Sequence, residues 1–424
     1  MRCAVSGIYD KQKGPGGPTG RRVLLMQLTL FDDIYHDQIL TDLFQAYFDA
    51  RTHKRGTINA LAFEKQFESN LFTLFGEMIH RTYAPKPSIC FISNNPVQRE
   101  IFAAHFRDRV IHHFIYNDVY PIFEKTFIHD SYSCRIGKGT HYGIRRMDHF
   151  IRSCSQNYSR DCYILKLDIK GYFMAMNRHI LYEKVKTVIK NKARNVDFDI
   201  PLSLYLIKKT LFNDPTQNCI IKGSRKDWTG LPPTKSLFHA KPDCGLPIGN
   251  LTSQLFGNIY LNKFDHFVKR DLKIRYYGRY VDDFILIHRD KDYLKSLIAP
   301  IRNYLSSHLN LELHPDKVYL QHYTKGVKYL GAVIKPHRIY IAKRTKGNFY
   351  KAIQDQNNII RDHKPDTEER DAFLSSMNSY LGIMKHYRTY NIRQKTVTRN
   401  LSGWWWNYCT LCRGAEKFVL KGTG

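Results

Sequence analysis

The hydrophobic pattern is most regular between residues 274 and 288, Ile-Arg-Tyr-Tyr-Gly-Arg-Tyr-Val-Asp-Asp-Phe-Ile-Leu-Ile-His. Two runs of aliphatic, β-branched and aromatic residues flank Asp282-Asp283, and such runs favour strands. An acidic two-residue turn between them predicts a hairpin, because Asp tolerates the left-handed conformation that tight turns need. A second strand is predicted at Asp161–Phe173, where Tyr163, Leu165 and Leu167 alternate with Ile164, Lys166 and Asp168. Cys90-Phe-Ile, Leu311–Leu320 and Val327–Ile334 also read as strands. Helical spacing marks residues 33–82, Arg99–Phe114 with a basic face, 178–190, Leu255–Val268 and Lys291–Leu309. Residues 191–245 carry turn signals and read as irregular, and residues 345–415 read as a separate basic helical unit. The Gly/Pro-rich stretch Lys11–Gly20 is expected to be flexible. No internal repeat is evident.

Composition changes the picture chiefly through charge. Of 424 residues, 66 are Lys or Arg and 38 are Asp or Glu, a net +28. That excess predicts a polyanionic partner, nucleic acid first and an acidic membrane second. With 13% aromatic residues the balance favours nucleic acid, since rings stack on bases. Nine scattered cysteines give no disulfide framework. Cys409 and Cys412 have no second ligand pair nearby, so no zinc site is expected. No apolar run reaches the length of a membrane span and no signal-peptide pattern opens the chain, so an intracellular, cytoplasmic protein with no membrane partner is expected.

The chemistry follows from the carboxylates. Asp168 and Asp282 both stand at predicted strand ends. If those strands are neighbours, Asp168, Asp282 and Asp283 converge, and hard oxygen ligands of this kind hold Mg²⁺. Paired ions clamp an in-line phosphoryl displacement. A polymerase, a metal-dependent nuclease and a non-catalytic nucleic-acid binder all remain open on the residues alone. Gly137-Lys-Gly-Thr140 does not fit a Walker A loop but can bring backbone close to a phosphate. Gly249 and Asn250, just before a helix start, offer the same opportunity. Trp404-Trp-Trp406 is expected to be a core or interface anchor, with base stacking as the alternative.

Tyr280-Val-Asp-Asp283, Leu167-Asp-Ile-Lys-Gly-Tyr-Phe173, Ile248-Gly-Asn-Leu-Thr-Ser-Gln254, Phe106–His113, Asp130–His141 and Ser379–Gly382 occur in an order that resembles reverse transcriptases. Within them the chain is similar to the bacterial and phage, group II intron-like lineage of diversity-generating retroelements. The likeness covers roughly residues 50–395. It implies an α/β (α+β) right-hand polymerase whose palm is an antiparallel sheet bearing the Tyr-Val-Asp-Asp hairpin. Residues 1–39 would be an extension, 40–160 fingers, 161–199 and 246–340 palm, 200–245 an insertion, 341–415 a helical thumb and 416–424 a basic tail. It implies two Mg²⁺ ions, with Mn²⁺ as substitute, held by Asp168, Ile169, Asp282 and Asp283. Arg99, Arg107, Arg109, Phe173, Ile248, Gly249, Gln254 and Lys317 would meet the incoming nucleotide, with Phe173 as a gate against the ribose 2′-hydroxyl. Tyr329, Leu330 and Gly331 would form the primer grip. Ile248 stands where relatives place a Gln, which implies error-prone copying opposite adenine. The implied partners are a structured template RNA, an RNA/DNA or DNA primer, dNTPs and a small helical-bundle accessory oligomer. Antiphage defence is the alternative biological role.

Overall fold

The computed structural model describes residues 18–52, 56–94, 97–192 and 197–421, with side chains from residue 35 onward. The expected flexibility of Lys11–Gly17, part of the basic loop after Arg51 and the turn at Asn95-Pro96 lie outside the described residues; Pro18–Gly20 form the first turn of a helix.

Three helices come first: α1 Pro18–Arg51, α2 Ile58–Glu64 and α3 Phe67–Ile79. Strands β1 Ile89–Ser93 and β2 Arg99–Ala103 pair antiparallel, and are followed by α4 Phe106–Glu124 and α5 Thr140–Cys154. Next come β3 Tyr163–Leu167, the single turn α6 Tyr172–Ala175, α7 Arg178–Asn191, α8 Ile200–Leu211 and β4 Ile220–Ile221, which joins β1 in parallel. Helix α9 Leu251–His266 leads into the hairpin β5 Tyr276–Tyr280 and β6 Asp283–His288. Helices α10 Lys291–Ser296 and α11 Ile298–Leu309 precede β7 Tyr319–His322. A meander of β8 Val327–Tyr329, β9 Ala332–Lys335 and β10 Arg338–Ile341 then enters the C-terminal helices α12 Lys343–Asp362, α13 Thr367–Met384, α14 Tyr390–Asn400 and α15 Trp405–Tyr408. A small hairpin, β11 Cys409–Leu411 and β12 Phe418–Leu420, closes the described chain.

The centre is a four-stranded antiparallel sheet in the order β5-β6-β3-β7. Alternation divides its side chains between two cores. Leu165, Leu167, Phe284, Leu286 and Tyr277 join the larger core, together with α4 and α9. Ile164, Ile285 and Ile287 face the other way, against Met147 and Phe150 of α5 and Tyr329 and Ile334 of the meander. With both faces covered, burial at about 1.5–3 kcal/mol per large side chain fixes the register of every strand.

Several expectations need correction. Arg99–Ala103 is a strand, not the start of a helix. Its alternation buries Glu100 and Phe102, and the Glu100 carboxylate accepts hydrogen bonds from the Trp228 indole at 2.7 Å, Ser236 Oγ at 2.8 Å and Leu237 N at 2.6 Å. Residues 191–245 contain α8, which Asp199 caps; the Asp199 carboxylate accepts from Leu202 N and a proline sits in the first turn. Lys291–Leu309 is two helices. Of Leu311–Leu320 only Tyr319 and Leu320 lie in a strand. Part of the expected tail is β12. The expectation that the tryptophans anchor a core holds: Trp405 is buried, stacked on Phe373 with ring centroids 4.0 Å apart, and Trp404 and Trp406 pack against the same core half-buried.

Candidate active site at the tip of the central sheet

Leu167 of β3 pairs with Phe284 of β6, so Asp168 leaves the sheet beside Asp283. Tyr280 pairs with Asp283 across the hairpin, which makes Val281-Asp282 the two-residue turn. The turn is therefore displaced by one residue from the acidic pair, and its left-handed residue is Val281 (φ 56°) rather than an aspartate. A β-branched residue there is strained and persists only if its surroundings impose it.

Those surroundings are specific. Arg279, fully buried on β5, donates from Nη1 to the Val281 carbonyl at 2.8 Å. Its Nε and Nη2 form a fork on Asp265 of α9 at 2.7 and 2.6 Å, and the Tyr277 hydroxyl donates to the same carboxylate at 2.6 Å. Tyr132 donates its amide to the Arg279 carbonyl at 2.9 Å, and its ring lies over Gly278, where a Cβ would come within 2.3 Å of the hydroxyl. Sequence patterning does not identify this clamp; its signal is a charged residue inside an otherwise apolar strand.

The three carboxylates feel one another. Burial raises Asp282 to about 6, and the charges of Asp168 and then Asp283 add to that effect. Burial also raises Asp283, opposed by Lys166, whose Nζ lies 3.0 Å from Asp283 Oδ2. Lys317 Nζ donates to Asp168 Oδ1 at 2.8 Å. Lys166 is a site residue that the sequence reading omits, although it shares the strand face of Asp168. Among the described residues no three His, Cys, Asp or Glu side chains are arranged around a metal position. The donor set nonetheless suits a divalent cation: hard, mutually repelling oxygens, balanced here by lysine ammonium groups. Ile169 has its side chain in the core and bridges to Leu313, so only its backbone carbonyl could serve as a ligand.

The other candidates are distributed over several elements. Arg99 is exposed on β2. Arg107 is buried and paired with Glu77 and with Asp108 at 3.3 Å. Arg109 is half-buried, its Nε donating to the Ala104 carbonyl at 3.0 Å. Phe173 packs along Gly257 of α9 and touches both neighbouring cores. Ile248 packs against the small cluster of Cys90, Phe102, Met174 and Leu237, and its carbonyl accepts from Phe102 N at 2.8 Å. Gly249 adopts φ 124° against Ile101 and Phe102, an approach that leaves no room for a side chain. Gln254 is exposed on α9. Tyr329 is buried with its hydroxyl unpartnered among the described residues, and Leu330-Gly331 form the left-handed turn of the β8–β9 hairpin. Lys138 of the glycine loop donates to the His129 carbonyl.

The family model for reverse transcriptase (RNA-dependent DNA polymerase) matches residues 85–334, which span the central sheet and the carboxylates. The chain belongs to the reverse transcriptase family. As such it is an RNA-directed DNA polymerase, a nucleotidyltransferase. This reverse transcriptase is 24% identical over 323 residues to Protein YkfC of Escherichia coli (strain K12), covering 68% of this chain and 76% of that one. Among solved structures it is similar to apo telomerase from Candida tropicalis, truncated from the C-terminal domain, at 15% identity and TM-score 0.43, over 63% of this chain and 59% of that one. It is also similar to telomerase from Candida albicans in complex with a TWJ fragment of telomeric RNA, at 11% identity and TM-score 0.40, over 78% of this chain and 61% of that one. The reverse transcriptase thus spans about three-fifths of the length of those telomerase chains. None of its described helices is long and apolar enough to cross a membrane.

Proposed function

We propose that this reverse transcriptase copies a structured template RNA into DNA from dNTPs, with Asp168, Asp282 and Asp283 as its metal carboxylates. The observation that carries the reading is the convergence of these three at one end of a single sheet, where mutual repulsion helps to raise Asp282 to about 6. Divalent ions bound there, Mg²⁺ or Mn²⁺, would activate a primer 3′-hydroxyl and stabilise departing pyrophosphate. Lys166 and Lys317 are placed to hold the carboxylates until then. The central sheet would serve as palm, the region before it as fingers and α12–α15 as thumb. Arg99 and Arg109 would meet the triphosphate, with Gly249, Gln254 and Lys317 nearby; Arg107, spent on Glu77 and Asp108, is left out. Phe173 would exclude a 2′-hydroxyl, and Tyr329-Leu330-Gly331 would steady the primer.

The same reading assigns low fidelity to Ile248, whose apolar side chain cannot hydrogen-bond the nascent pair, and through it a diversity-generating role with an accessory helical oligomer. The test is dTTP incorporation on poly(rA)·oligo(dT) with Mg²⁺: Asp282→Ala should abolish it, and retained synthesis overturns the assignment. Sequencing cDNA made by Ile248→Gln should show altered misincorporation opposite adenine; an unchanged error spectrum removes the fidelity role.

A further inference from the structure

A groove of about 630 Å³ opens where α5, the β9–β10 turn and the turn between α13 and α14 meet. Arg152, Arg338 and Arg388 project into it from these three separate elements, and all three are exposed. Among the described residues none of them closes a salt bridge. The acidic lining residue, Asp148, is held above its usual range by burial in spite of Arg152. Two half-buried rings, Tyr158 and Tyr387, complete the walls, and Tyr158 packs on His337 with centroids 4.4 Å apart.

One wall is preorganised. Gln156, Asn157 and Tyr158 all have left-handed backbone, with φ 49°, 56° and 70°. Hydrogen bonds fix the turn: Asn157 N to the Arg152 carbonyl at 2.8 Å and Tyr158 N to Ser155 Oγ at 2.9 Å. The groove is also separate from the carboxylates. Tyr158 precedes β3 and Asp168 follows it, so the five-residue strand, about 17 Å long, lies between them.

We infer that this groove is a second nucleic-acid site, which grips phosphodiester groups with Arg152, Arg338 and Arg388 and receives bases against Tyr158 and His337. Guanidinium forks match phosphate oxygens, rings accept any base by stacking, and a volume in this range suits a ligand of nucleotide size. The site would hold a strand outside the catalytic cleft, on RNA or DNA. It does not depend on polymerisation, so an Asp282→Ala protein should retain it even if the catalytic assignment fails.

The experiment is titration of labelled rU20 and dT20 over a salt series, with wild type, Arg152→Glu/Arg338→Glu/Arg388→Glu and Lys291→Glu, a basic residue elsewhere on the surface. The triple variant should bind at least tenfold more weakly, with a log–log salt slope lower by about 2, because each lost phosphate contact on a single strand removes about 0.7. Equal melting temperatures would show that the fold is kept. Preference for rU20 assigns the site to RNA and parity to either strand. Wild-type affinity and slope in the triple variant would overturn the inference. So would a loss per charge no larger than that of Lys291→Glu, or displacement of rU20 by poly-glutamate at equal charge.

Discussion

Asp282 is half-buried beside two other carboxylates, and this sets a testable balance between stability and function. Unfolded, its carboxyl titrates near 3.8; folded, near 6. The folded chain therefore binds that proton more tightly, so its stability is fully present below about 4 and is lost as pH rises towards 6. In chelator, Asp282→Asn should stabilise the fold at pH 8 by on the order of 1–3 kcal/mol, read as a raised melting temperature, and leave it unchanged at pH 4. An unchanged melting temperature at pH 8 would contradict the raised value. Arg279 is the opposite case, a buried charge whose partner is in place. Arg279→Met leaves Asp265 uncompensated and should cost about 3–5 kcal/mol, read as a lower urea midpoint, whereas Arg279→Met/Asp265→Leu should recover most of it. If both fall equally, the ion pair is not what holds the turn.

At the scale of elements, the hairpin depends on close approach between Gly278 and Tyr132. Gly278→Ala would drive a Cβ into the Tyr132 hydroxyl, which cannot move because the ring is fully buried. A loss of about 1–3 kcal/mol is expected, partly recovered when Tyr132→Phe is added; no recovery would place the strain elsewhere. This hairpin was legible in the sequence because alternation and acidic punctuation agree there. The convergence of Asp168 with Asp282 was legible only as a condition, that their strands be neighbours. Arg99–Ala103 misled because Ile101, Phe102, Phe106 and Val110 satisfy helical spacing whether or not a strand comes first. Helix α8 was hidden among turn signals on either side. The Arg279–Asp265 pair joins residues on different elements, and local patterning carries no information about such a partner. Likewise nothing in the order of residues announced that Arg107 is turned inward to Glu77.

The whole molecule holds its C-terminal helices around a core of their own, with Phe349, Phe373, Met377, Leu381 and Trp405 at its centre. Two unfolding transitions are expected from that separation. Trp405→Ala should destabilise the C-terminal unit by about 3–5 kcal/mol, so that calorimetry shows one transition at lower temperature and the other in place. A single transition shifted as a unit would mean that the two cores melt together. The order of the central sheet has a further consequence, in the time domain. β3 lies between β6 and β7, yet it leaves the ribosome more than a hundred residues before either partner. During that interval Tyr-Ile-Leu-Lys-Leu has two open edges and no sheet to join, the condition under which nascent chains misassemble. Slower synthesis lengthens that exposure and cooling weakens hydrophobic association, so the yield of native protein depends on how the tempo of translation compares with the closing of one strand between two latecomers.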